Sequence, residues 1–188
     1  MRRRNLFVTT AAFVLAVTSI AVGTTGAAAD RDAADGTTER STAGRSHDPL
    51  RVRAIGEETF EANALIQSTF RFTPDITYPH SGERVRWVDD DGTDDPHTIT
   101  IVRRAQLPAD FVETFNCTPC NEALDAHFAG GRVNLRVNVG RAGLDQPGDS
   151  LLLLPGESIG AQVTAPPATN LSFLCAVHPW MQGRLVVG

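Results

Sequence analysis

From Leu50 onward the chain is built from short runs in which apolar and polar residues alternate. Leu50-Arg51-Val52-Arg53-Ala54-Ile55 alternates, Ile99 and Ile101 alternate with Thr98 and Thr100, and the run from Arg132 to Val139 alternates throughout. A period of two gives a strand one buried face and one wet face. Turn-forming groups separate the runs: His80-Ser81-Gly82, Asp90-Asp91-Gly92, Gly130-Gly131, Pro155-Gly156 and Pro166-Pro167. Short strands between such turns predict an all-β sandwich or barrel. Roughly 140 residues are enough to bury its core, with Trp87 and Val85 on one strand as core candidates.

One segment breaks the β pattern. Between Ala105 and Ser150, Glu122 to Phe128 reads as a short helix in an insertion before the last strands. Asn121 is its expected N-cap and Gly130-Gly131 its stop. Cys117-Thr118-Pro119-Cys120 stands directly before it.

The first 48 residues follow neither pattern. Arg2, Arg3 and Arg4 precede an apolar run from Leu6 to Gly23, and Ala27-Ala28-Ala29 fits a small-residue cleavage site. Residues 1–29 therefore read as an export signal, with a loose fit to the twin-arginine kind. The alternative is an uncleaved anchor, for which an apolar run of about 18 residues is marginal; after cleavage no integral span is expected. Residues 30–48, rich in Asp, Arg, Thr, Ala and Gly, read as a flexible linker that leaves His47 solvated. The folded domain is expected over 49–188, outside the cytoplasm: periplasm, cell surface or extracellular.

Charge narrows the partners. All 17 basic residues are Arg, against 22 acidic ones. Residues 1–29 hold three Arg and no acid, so the remainder carries 14 Arg against 22 acids, a net of −8. That argues against non-specific binding of nucleic acid or of an anionic membrane. It suits a basic or neutral redox partner, or simply keeps an exported protein soluble.

The candidate chemistry lies near the C-terminus, in Phe173-Leu174-Cys175-Ala176-Val177-His178-Pro179-Trp180-Met181. A thiolate, an imidazole and a thioether within seven residues form a soft donor set, which suits copper better than magnesium or calcium. A second imidazole, His97, stands 78 residues before Cys175 at the head of an alternating run. Two His, one Cys and a weak axial Met make the trigonal set of a mononuclear blue-copper site. Alternation places Leu171, Phe173 and Cys175 on one strand face, and Pro179 forces the chain to turn, bringing His178 and Met181 back over Cys175. His97 comes from another strand, so a metal would staple two parts of the sandwich. None of the five His forms a His-x-His pair of the kind a trinuclear copper cluster needs.

Here the chain resembles the cupredoxins, the plastocyanin, azurin and amicyanin family. The Cys-x2-His-x2-Met loop, with Pro directly after the His, looks most like the short loop of amicyanin. Phe70-Arg71-Phe72-Thr73-Pro74 and Gly82 to Val88 look like the family's early strands. The resemblance covers roughly Leu50 to Gly188. It implies a Greek-key β-sandwich or barrel holding one type 1 copper, with His97, Cys175, His178 and Met181 as ligands. It also implies a monomeric one-electron carrier, not an enzyme, that meets a redox partner protein. A copper capture or delivery module without redox traffic is the alternative. Thr98 stands where several family members carry Asn, at a position that orients the ligand loop.

The remaining candidates keep two readings each. Cys117 and Cys120 read as a disulfide in an exported protein, leaving Cys175 as the odd thiol. A redox-active dithiol, a metal site drawing on His127, or inert reduced thiols are the other uses. Trp180, with Pro179, either packs over the site or offers an apolar docking surface beside His178. His80 reads as a surface residue.

Overall fold

The computed structural model describes residues 50–188. The expected export signal (1–29) and the whole expected linker (30–48), His47 included, lie outside the described residues. Twelve strands follow in chain order: β1 (Leu50–Ile55), β2 (Glu58–Glu61), β3 (Leu65–Ser68), β4 (Arg71–Thr73), β5 (Ile76–Thr77), β6 (Arg84–Asp89), β7 (His97–Val102), β8 (Arg136–Val137), β9 (Ser150–Leu153), β10 (Ser158–Gln162), β11 (Asn170–Leu174) and β12 (Gln182–Val186). Two α-helices, α1 (Phe111–Phe115) and α2 (Thr118–His127), lie between β7 and β8.

The strands form two packed sheets and a hairpin. One sheet has the order β10-β6-β1-β4, the other β5-β12-β11-β7-β9-β8, and β2 pairs with β3 alone. The chain passes repeatedly from one sheet to the other, as a Greek-key sandwich requires. Alternation selects the core. Val52, Ala54, Val85, Trp87, Ile159 and Ala161 face inward from the first sheet. Ile99, Ile101, Leu151, Leu153, Leu171, Phe173 and Leu185 face them from the second. Trp87 and Phe173 are fully buried and meet edge to face at 6.2 Å. Each such side chain contributes about 1.5–3 kcal/mol through burial.

The expectation of one wet face fails for β7 and β11. Every residue of β7 is buried, the threonines included. On the far side of this sheet α2 and its approach form a second apolar cluster: Val102, Cys117, Cys120, Ala123, Leu174 and Ala176. The insertion thus covers the face that alternation assigned to water.

The insertion also differs from its sequence reading. The helix starts at Thr118, with Cys117 rather than Asn121 at its N-cap, because Pro119 in the first turn favours an early start. A short α1 precedes it, capped by Asp110, whose Oδ1 accepts from the Glu113 amide at 2.9 Å. The predicted strand from Arg132 to Val139 shrinks to Arg136–Val137. Asn134 is diverted to close the helix: its amide donates to the His127 carbonyl at 2.7 Å and its side chain to that of Ala126 at 3.0 Å. Cys117 and Cys120 are joined as a disulfide, with Cα atoms 5.2 Å apart. Among the described residues, no helix is long and apolar enough to cross a membrane.

Candidate metal centre

β11 carries its inward face up to Cys175, and the chain then folds over on itself. Cys175 N–H donates to the Met181 carbonyl at 2.9 Å, and Met181 N–H to that of His178 at 2.8 Å. Gln182 Nε2 donates to the carbonyls of Pro108 and Pro179, tying this loop to the segment before α1. His97 opens β7, which pairs with β11. The donors therefore come from neighbouring strands of one sheet and the loop between β11 and β12. A metal held there would join two separate strands, as expected from the sequence, and both belong to the same sheet.

Three donor atoms converge. Cys175 Sγ lies 3.8 Å from His97 Nδ1 and 3.9 Å from His178 Nδ1, and the two nitrogens are 3.3 Å apart. A triangle of those sides has its centre about 2.1 Å from each corner, within the range of metal bonds to imidazole and thiolate. All three residues are buried. The site is able to hold one copper ion. Met181 is fully buried in the core beside this loop.

The other ring nitrogen of His97 meets a group that sequence reading missed. Nε2–H donates to Asp91 Oδ2 at 2.6 Å, with both side chains fully buried. This engages Nε2 and leaves Nδ1 as the ring nitrogen that faces Cys175 and His178, available to a metal once its proton is displaced. Asp91 had read only as part of a turn. Its signal was a run of three Asp at the end of β6, six residues before His97. Asp89 is close by, 3.9 Å from Nε2, and accepts the Gly156 amide at 2.7 Å.

The titrating groups answer to these partners. Burial pushes the Cys175 thiol up, but hydrogen bonds from His178 and His97 outweigh it and bring the thiol well below its usual range. Burial pulls His97 down, while Cys175 and Asp91 hold it above its ordinary value. Burial pushes Asp91 up, and the hydrogen bonds from His97 and Thr93, with the charge of His97, together more than reverse this. Asp89 is raised, chiefly by burial.

Thr98 holds the loop from beneath. Its amide donates to Cys175 Sγ at 3.3 Å, and its hydroxyl accepts the Ala176 amide at 2.6 Å. The His178 amide also points at Cys175 Sγ, at 3.4 Å. Phe70 lies against both imidazoles, at 5.5 Å from His97 and 4.8 Å from His178. Gly56, at φ +136°, lets the Phe70 backbone pass where a Cβ would come within 2.6 Å of it. His178 is sandwiched from the outside by Trp180, at 5.3 Å and 43% exposed. Pro179 is buried, so Trp180 alone presents the apolar surface that had been expected from both. His80 is exposed.

No protein-family model matches the chain, and no curated protein does. Solved structures do. In fold the chain is similar to cupredoxins. Auracyanin A, a "blue" copper protein from Chloroflexus aurantiacus, shares 20% identity over 74% of this chain and 98% of its own, with a TM-score of 0.43. A purple cupredoxin from Nitrosopumilus maritimus shares 16% over 74% and 99%, with a TM-score of 0.41. An auracyanin from Roseiflexus castenholzii shares 17% over 74% and 96%, also at 0.41. The architecture stands on the strand pairings described above, independently of these likenesses.

Proposed function

We propose that the chain is a mononuclear type 1 copper protein that carries single electrons. His97, Cys175 and His178 would hold the copper, with Met181 as a weaker fourth donor. The observation that supports this is the buried triangle of one sulphur and two nitrogens, sized for a first-row metal and made of donors that suit copper. Copper, when bound, supplies the one-electron couple. The protein's own residues do the rest. Asp91 accepts the hydrogen bond of His97 Nε2–H and so turns Nδ1 toward the metal position. The amides of Thr98 and His178 donate to the thiolate and spread its charge. Burial and Phe70 hold the donors still, so that little moves when the charge changes.

In this reading the protein is exported, acts as a monomer and is not an enzyme, since four protein ligands leave no open position for a substrate. A redox partner protein docks over Trp180 and exchanges electrons through His178, the donor nearest that surface. Copper-loaded protein should show an intense visible absorption band with one copper per chain, and Cys175→Ser should abolish the band. A colourless wild-type protein, or a blue Cys175→Ser protein, would refute the assignment. Rapid loss of copper to a mild chelator, with no redox couple, would favour capture or delivery instead.

A further inference from the structure

A buried line of hydroxyl groups runs from the insertion to the metal centre. It starts at His127, fully buried in the last turn of α2. His127 Nδ1 lies 2.5 Å from the Asn134 carbonyl. A carbonyl only accepts, so Nδ1 carries the proton. Burial keeps the ring from taking a second one, which leaves Nε2 an acceptor. Nε2 then accepts the Ser150 hydroxyl at 2.8 Å. Ser150 Oγ, its proton committed, accepts from Thr100 Oγ1 at 2.8 Å, and Thr100 Oγ1 accepts from Thr98 Oγ1 at 2.9 Å. Thr98 Oγ1 accepts in turn from the Ala176 amide. Every hydroxyl donates once and accepts once, so the tautomer of His127 fixes the direction of each bond as far as Ala176.

The line ends in a closed pair of contacts. Ala176 donates to the Thr98 hydroxyl while the Thr98 amide donates to Cys175 Sγ. Thr98, Thr100, His127 and Ser150 are all buried, so water does not compete for these groups. Thr100 and Ser150 are also direct partners in the β7–β9 register, which holds the middle of the line rigid.

We propose that His127 is a positioning residue for the metal centre. Acting through Ser150, Thr100 and Thr98, it locks the Cys175–Ala176 turn and sets how firmly the Thr98 amide holds the Cys175 sulphur. The inference rests on the copper reading above. An amide donated to a thiolate draws charge from it and favours the reduced, less positive metal. Slackening the line should therefore favour Cu(II).

The test uses copper(II)-loaded protein carrying Thr100→Val, which removes the middle hydroxyl at nearly constant shape, and His127→Phe. Each should raise the ratio of Cu(II) to Cu(I) affinity about threefold to tenfold, the effect of one hydrogen bond. That reads as a potential lowered by about 30–59 mV for one electron, with the visible band shifted but retained. The double variant should shift no further than the larger single one, because both cut the same line. His127→Gln, whose amide offers a donor and an acceptor, should recover most of the wild-type potential. Unchanged potentials in both single variants, or shifts that add, would overturn the proposal. Metal-free protein gives an independent reading. The Ala176 amide should exchange with solvent about tenfold faster in Thr100→Val than in wild type. If wild type shows no intense band, the copper reading fails while Ala176 exchange still decides the positioning role; unaltered exchange refutes it.

Discussion

Two imidazoles are fully buried in this sandwich, and they are held in opposite ways. His97, at the donor end, faces a carboxylate and a thiol and is pushed above its ordinary value. His127, under the insertion, faces a carbonyl and a hydroxyl and is pushed below it. Burial is the same, so burial does not set their roles. Charged partners make His97 a group that can exchange its proton for a metal cation. Neutral partners make His127 a fixed donor–acceptor strut.

The largest expected break in this contrast is Asp91→Asn. It keeps the hydrogen bond to His97 but removes the charge behind it. Cu(II) affinity should fall about 10–100-fold and the potential should rise; competition with a chelator of known affinity measures the first. Affinity unchanged by this substitution would mean that Asp91 only fills space.

Next in size is His127→Leu in metal-free protein, which strands the Ser150 hydroxyl and the Asn134 carbonyl. It should cost about 1–3 kcal/mol at neutral pH. It should also change the pH profile. Folding lowers the His127 value, so below the unfolded value of about 6.5 the unfolded chain binds more protons. Wild-type stability therefore falls as pH drops through that point, by up to about 1.4 kcal/mol per unit for this one group. His97 and Cys175 together hold one proton in both states between about 6.5 and the raised His97 value, so they add little slope there. Denaturant titrations from pH 7.5 to 5 should be flatter for His127→Leu than for wild type. Equal slopes would place a charged partner near His127 that the geometry does not show.

Met181→Leu should have a smaller effect. The volumes are similar, so the stability change should stay under about 1.5 kcal/mol. The colour should persist while voltammetry shows a shifted potential. Loss of copper would give the thioether a stronger role than axial tuning.

The smallest effect on the centre is expected from Trp180→Glu, at the exposed edge of His178. The spectrum should stay nearly intact while exchange with a redox partner slows about threefold or more, since a rim charge acts mainly on association. A change at Arg132 or Arg136, remote from the loop, should do less.

Much of the donor end was legible in the sequence because it is local. Cys175, His178 and Met181 fall within seven residues, and the alternation of β11 shows which face Cys175 shares with Phe173. His97 was found as a strand-initial His in a chain that needed one more imidazole. Asp91 was hidden because three consecutive Asp before a Gly describe a turn equally well. Nothing local marks which carboxylate turns inward. The strut was hidden more deeply. His127 meets Ser150 across 23 residues and Thr100 meets Ser150 across 50. Alternation records which positions are polar but not whether a later segment will cover them. The run from Arg132 to Val139 failed for a related reason: Asn134 closes a helix that the pattern of its own strand does not reveal.

All the converging donors belong to one sheet and its loop, while the apolar core lies between two sheets. Losing the ion therefore removes no contact that joins the layers. The empty protein should remain folded, with a melting temperature below that of the loaded form by an amount set by free copper and its dissociation constant. Folding and metallation are then separable events. The chain can complete its fold first and take up its ion afterwards.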